Sequence, residues 1–172
     1  MFFESAPPPP VAVSASALPM RRFVLLPGDF GVRQTLQQMR GSVLEAARNP
    51  EVKEAAVRLT AGAAPMDYDG HVDLLMRRLP STFRYVSDTR GQEELYGPDV
   101  HAHRYLQTGG TFGDCDDLAV FQAALVRAVG IPARFMALAN GRRGLKMNHV
   151  RAEAEVAPGR WRSMDHLAPR TP

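Results

Sequence analysis

The sequence predicts an α+β fold with helices first and an antiparallel sheet last. Three observations predict it. Apolar residues recur at three- and four-residue steps through the first half of the chain. An almost wholly apolar run of helical length, Val120 to Val129, lies beyond the middle. Three β-prone segments then follow, the last two joined by a hairpin signal. No internal repeat interrupts this order, and 172 residues suffice for one compact domain with a real core.

Residues 1–20 are an arm of Pro, Ala, Ser and Val whose Pro7–Pro10 run is expected to be extended polyproline II. It reads either as a partner-docking arm or as a disordered tail. Ala15-Ser16-Ala17 mimics a signal-peptidase site, but Glu4 and the proline run break any signal peptide, so none is expected. Residues 21–66 form a helical N-terminal segment and 67–172 the core, with one compact domain from about residue 28 on. Val32, Leu36, Met39, Val43 and Ala47 form one helical stripe. Asn49-Pro50 breaks that helix and restarts it, as N-cap and first helical position. The second helix carries Val52, Ala55, Ala56 and Leu59 and stops near Gly62. A third fits Tyr68 to Leu79, with Val72, Leu75, Met76 and Leu79 on one face and Pro80 beyond its end. Phe83 to Val86 is a short β-prone run, and 88–112 reads as a long Gly-rich polar loop. The next helix spans Asp114 to Val129, apolar almost all round and so buried, and ends at Gly130-Ile131-Pro132. Ala133 to Ala139, Met147 to Val156, and Arg160 to Met164 or Asp165 are the strands.

The only cysteine, Cys115, sits at the start of the buried helix within Gly113-Asp114-Cys115-Asp116-Asp117. A thiol there faces unpaired backbone N–H groups and the positive end of the helix dipole, which favour thiolate. Downstream, His149 and Asp165 complete the order nucleophile, base, orienter. Strand alternation tests whether the last two can meet. A three-residue loop of Ala157, Pro158 and Gly159 sets Val156 opposite Arg160 and Arg151 opposite Asp165, which makes His149 and Asp165 diagonal neighbours on one face. A two- or four-residue loop puts them on opposite faces. The bland alternative is a small buried thiol and a structural histidine.

Composition excludes several classes. One cysteine rules out an intrachain disulfide and a multi-cysteine zinc site. No window has the apolar length of a membrane span. The net charge of +3 is spread along the chain as short pairs such as Arg21-Arg22, Arg77-Arg78 and Arg142-Arg143, and no groove-reading motif supports nucleic-acid binding. Asp114, Asp116 and Asp117 stabilise a helix start; as metal ligands they are disfavoured because successive helical side chains diverge. Their charge raises a neighbouring thiol's pKa, so His149 or an arginine such as Arg134 is expected to offset it. His101-Ala102-His103 shares a face if extended, but with no further ligands it reads as loop, and no metal or cofactor is expected.

Gly113 to Asp117, Ala124 to Arg134, His149-Val150 and Trp161 to Asp165 together resemble the transglutaminase-like superfamily of papain-type cysteine enzymes over about residues 70–166. With Arg84 to Asp88 upstream, the chain is similar to the small transglutaminase-like cysteine peptidases of tailed phages and prophages. The resemblance implies a papain-like core with a buried Cys-bearing helix and a three- to four-stranded antiparallel sheet. It implies Cys115 as nucleophile, His149 as general base and acid, and Asp165 as the orienter of His149. The activity implied is cysteine-dependent hydrolysis of a peptide or isopeptide amide through a thioester. The backbone N–H of Cys115 serves as an oxyanion donor, and Gln107 or Tyr105 as a second one. Relatives carry His-Ala-Trp where this chain has His149-Val150-Arg151. The partners expected are a peptide or protein substrate and a virion or other protein for the arm. The protein is cytoplasmic when made, or part of a virion. The alternative is an assembly component of a phage particle that keeps the fold with little or no catalysis.

Overall fold

The structure, a computed structural model, describes residues 20–23, 29–88, 93–138 and 149–166. Of the proline-rich arm, residues 1–19 lie outside the described residues, and Met20 belongs to the first strand. Strand β1 (Met20–Phe23) opens the described chain, followed by helices α1 (Asp29–Ala46), α2 (Pro50–Thr60) and α3 (Tyr68–Thr82). Then come β2 (Phe83–Tyr85), β3 (Glu93–Tyr96), α4 (Pro98–Thr108), β4 (Thr111–Gly113) and α5 (Cys115–Ala128). The chain closes on β5 (Ala133–Leu138), β6 (His149–Ala157) and β7 (Arg160–Ser163), a three-stranded antiparallel sheet. Two small pairs flank it: β1 with β3, antiparallel, and β2 with β4, parallel. The α+β architecture is the one read from the sequence.

The local signals act as expected around α1 and α2. Asn49 caps α2 by accepting the Glu51 N–H at 2.8 Å, and Pro50 occupies the first turn. Val52, Ala55, Ala56 and Leu59 are buried. Helix α5 is the hub. It packs against α1, α2 and α4 on one side and against β5 and β6 on the other, which explains an apolar surface all round. Phe121, Leu125 and Val120 are fully buried along it.

Three expectations are corrected. Residues 88–112 are not one long loop but hold β3, α4 and β4. Helix α4 starts at Pro98 behind Gly97 and ends at Gly109, whose φ of 78° is the left-handed conformation glycine favours. Helix α3 does not stop before Pro80 but runs on to Thr82. There the Ser81 and Thr82 hydroxyls and the Phe83 N–H donate to the carbonyls of Arg78 and Leu79, so the last turn stays satisfied without the proline N–H. The hairpin loop is shorter than three residues: Ala157 pairs with Arg160 across Pro158-Gly159. A bulge between Glu155 and Ala157 adds the missing residue, so Glu155 still opposes Trp161 and Glu153 opposes Ser163. The two departures cancel, and the facing of His149 and Asp165 is kept.

Candidate active site

The Cys115 helix is fixed at its start by a capping box. Asp114, in extended conformation, accepts the Asp116 N–H at 3.2 Å, and Asp117 returns to the Asp114 N–H at 3.4 Å. Asp117 also accepts the Tyr96 N–H at 2.8 Å, tying β3 to α5, and its Oδ1 lies 3.5 Å from Nε2 of the fully buried His101. The carboxylates of Asp114, Asp116 and Asp117 therefore converge, their ligand atoms all within 4.8 Å, rather than diverging as successive helical residues do. Convergence follows from Asp114 standing outside the helix as its cap. Cys115 itself is half-buried at the first helical position.

His149 opens β6, and its Nε2 lies 2.5 Å from Asp165 Oδ2. The Asp165 side chain is only 3 % exposed, so the imidazole takes over the role that water plays for a surface carboxylate. With Nε2 held by Asp165, Nδ1 is the ring nitrogen left for proton transfer. Topology sets where the thiol stands relative to this pair. Helix α5 leads through Gly130 into β5, whose first residue Ala133 opposes Ala154, and the Glu155 N–H donates to Pro132. The C-terminal end of α5 thus lies by residues 154–155 of β6, and α5 runs parallel to β6. Fourteen helical residues span about 20 Å. From Ala154 back to His149 the strand covers about 17 Å. Cys115 and His149 therefore occupy the same end of the helix–sheet layer.

Gln122, which the sequence reading passed over, ties helix to sheet. Its amide Nε2 donates to the Met164 carbonyl at 2.5 Å, and the Met164 N–H donates to Ala152. That bridge fixes the chain one residue before Asp165. Its signal was available: a glutamine inside an apolar helix must find a partner when buried. His166 stands 3.5 Å from the same amide, its pKa lowered by burial against the opposing pull of Asp165.

Several expected roles change. Arg134 does not serve the thiol: it is bonded to Glu153 at 2.8 Å and stacks 4.2 Å from the Trp161 ring centroid. Burial pushes the Glu153 carboxyl up, but hydrogen bonds from Arg134 and Arg151 outweigh it and hold the carboxyl below its ordinary value. His101 and His103 lie on α4 and serve different neighbours. His101 Nδ1 meets the Thr111 hydroxyl at 2.9 Å, and His103 Nδ1 meets Glu51 at 2.9 Å. Tyr105 and Gln107 lie on the last two turns of α4, Tyr105 half-buried against the core and Gln107 exposed.

Asp88 ends the Arg84–Asp88 stretch and accepts the Glu94 N–H at 2.6 Å. Burial pushes its carboxyl up, that N–H partly opposes the shift, and the charges of Asp114, Asp117 and Glu94 add to it, giving a pKa of about 6. A folded-state value above the unfolded one means the native state holds the extra proton between about pH 4 and 6, so stability falls as pH rises through that window. Asp88→Asn keeps the acceptor and removes the charge. It is expected to raise stability above pH 6 by about 1 kcal/mol after solvent screening, or about 2–4 °C in Tm. Thermal unfolding of both proteins from pH 4 to 8 checks this; parallel curves would refute it.

Among the described residues no helix is long and apolar enough to cross a membrane. No curated protein and no solved structure was found to match the chain. A family model does: the Transglutaminase-like superfamily matches residues 53–166, from α2 to the residue after Asp165. With two thirds of its length in that match, Cys115, His149 and Asp165 included, the chain belongs to the transglutaminase-like superfamily.

Proposed function

We propose that this protein is a cysteine-dependent acyl-transfer enzyme that hydrolyses a peptide or isopeptide amide. The observation that carries the reading is the buried His149–Asp165 pair at the Cys115 end of α5. The Cys115 thiolate attacks the amide carbonyl, and the C–N bond breaks as His149, protonated at Nδ1, gives its proton to the leaving amine. Water then adds to the thioester while His149 takes its proton, and the acid leaves as the thiolate returns. Asp165 holds the ring and stabilises the imidazolium. The Cys115 N–H, at a helix start, is one oxyanion donor, and Tyr105 or Gln107 on α4 supplies the second.

The pH dependence of Cys115 alkylation by iodoacetamide tests the reading, since no other thiol competes. The expected rate persists below pH 7, where an ordinary thiol of pKa about 8.5 is almost wholly protonated. Cys115→Ala is expected to abolish both labelling and hydrolysis. The second reading, an assembly component of a phage particle with little turnover, draws on the Pro-rich arm and the resemblance of Arg84–Asp88. It gains if alkylation follows an ordinary thiol titration.

A further inference from the structure

A cavity of roughly 610 Å³ lies beside the cysteine motif between the C-terminal ends of α3 and α4 and the β2–β4 pair. Two arginines line it. Arg104 reaches from α4 and sits 4.4 Å from the ring centroids of both Tyr96 and Phe112, in the corner formed by two rings that meet at 71°. Arg84, on β2, lies 5.7 Å from the same Phe112 ring and is exposed.

Neither guanidinium has a carboxylate or a hydrogen-bond acceptor among the described residues, and Arg104 Nη1 is buried without one. Elsewhere Arg134 and Arg151 are matched to Glu153, Arg160 to Asp69, and Arg162 to Asp69 and Asp73; Arg127 Nε, in the last turn of α5, is also buried without a partner but does not line this cavity. Nor are Arg84 and Arg104 needed to neutralise the helix ends around them. The Ser81 and Thr82 hydroxyls serve the last carbonyls of α3. The Thr108 hydroxyl serves the Arg104 and Gly110 carbonyls, and the Gly109 N–H serves Tyr105. Two guanidiniums that line one cavity with no acceptor, Arg104 held against two aromatic rings, present the charge and the planar donors that a carboxylate fills.

We propose that this pocket binds a carboxylate on the peptide substrate, an aspartate or glutamate side chain or a chain end. Phe112, one wall of the pocket, stands three residues before Cys115, so chain reach puts that wall within about 10 Å of the nucleophile's backbone. That distance is spanned by about three residues of extended peptide. The inference rests on the acyl-transfer reading for its substrate, though binding is measurable without turnover.

The test uses the full chain with Cys115→Ala, titrated with N-acetylglutamate N-methylamide while the Arg Nε–Hε resonances are followed by NMR. A saturable shift at Arg104 is expected, with a dissociation constant raised about tenfold or more by Arg84→Gln, whose exposed site leaves folding intact. Arg104→Lys is expected to weaken binding likewise, because it keeps the charge and loses the stacked fork. No saturable shift in the folded protein, or equal binding in both variants, overturns the proposal. Inorganic phosphate saturating where the glutamate derivative does not also overturns it, in favour of a phosphoryl ligand. In the thiol-intact enzyme, a peptide with an acidic residue about three positions from the cut is expected to exceed its glutamine isostere about tenfold in kcat/KM. Binding without turnover on any peptide separates failure of the catalytic reading from failure of this one.

Discussion

Asp165→Ala is expected to lower kcat by about 10²–10⁴-fold, the range that a positioned acid–base group contributes. The carboxylate is buried against Nε2 of His149 at 2.5 Å, and its removal does two separable things. The ring loses the acceptor that sets its tautomer and orientation, and the imidazolium loses its counter-charge. The second effect has a sign: without the carboxylate the protonated ring is disfavoured, so the thiolate–imidazolium pair is depleted near neutral pH. Alkylation of Cys115 at pH 6 is therefore expected to slow together with turnover. Asp165→Asn returns an acceptor for Nε2–H but no charge, so it recovers part of kcat while alkylation at pH 6 stays slow. A merely structural aspartate would change stability in both variants and leave that split unseen. Wild-type turnover and wild-type alkylation in Asp165→Ala would remove Asp165 from the mechanism.

The helices and strands carrying this site were legible because each is specified by its own residues. Asn49-Pro50 starts α2, the all-apolar α5 must be central, and the β6–β7 alternation places His149 with Asp165. What escaped the sequence is long-range or compensatory. Helix α4 buries only a short face, Pro98, Val100, His101 and Ala102, so its periodicity is faint and its polar residues read as loop. Its terminal signals, Gly97-Pro98 and Gly109, were present and outweighed. The bulge at Val156 has no sequence signature of its own; it exists because the core face of β6 must stay on α5 while a two-residue turn closes the hairpin. The convergence of Asp114 with Asp116 and Asp117 depends on a non-helical cap conformation, and the pairing of Arg134 with Glu153 depends on a register no local pattern supplies.

Gly113 is the other position where one atom is expected to matter most. Its φ is not in the left-handed region, so the requirement is space rather than backbone freedom. A Cβ there would stand 2.3 Å from Asp117 Oδ2 and 2.5 Å from Asp117 Cβ. The second contact decides the case, because rotating the Asp117 side chain cannot move its own Cβ. In Gly113→Ala either β4 shifts away from α5 or Asp117 gives up its acceptor positions for the Asp114 and Tyr96 N–H groups. Losing the cap costs about 0.5–2 kcal/mol, and leaving a buried N–H unpaired about 1–3 kcal/mol. A net loss of about 2–4 kcal/mol corresponds to a Tm drop of about 4–16 °C. Because Cys115 is the next residue but one, any shift of β4 also moves the sulfur, and a displacement near 1 Å costs about 10² in turnover. Asp117→Asn makes the comparison: it adds no Cβ at residue 113 but keeps one acceptor oxygen where the carboxylate used two, so it is expected to lose part of the Tm, and the charge beside His101, without displacing β4. Thermal melts and alkylation rates of the two variants side by side distinguish them. Wild-type values in Gly113→Ala would mean that the close approach of β4 to Asp117 does not hold the nucleophile in place.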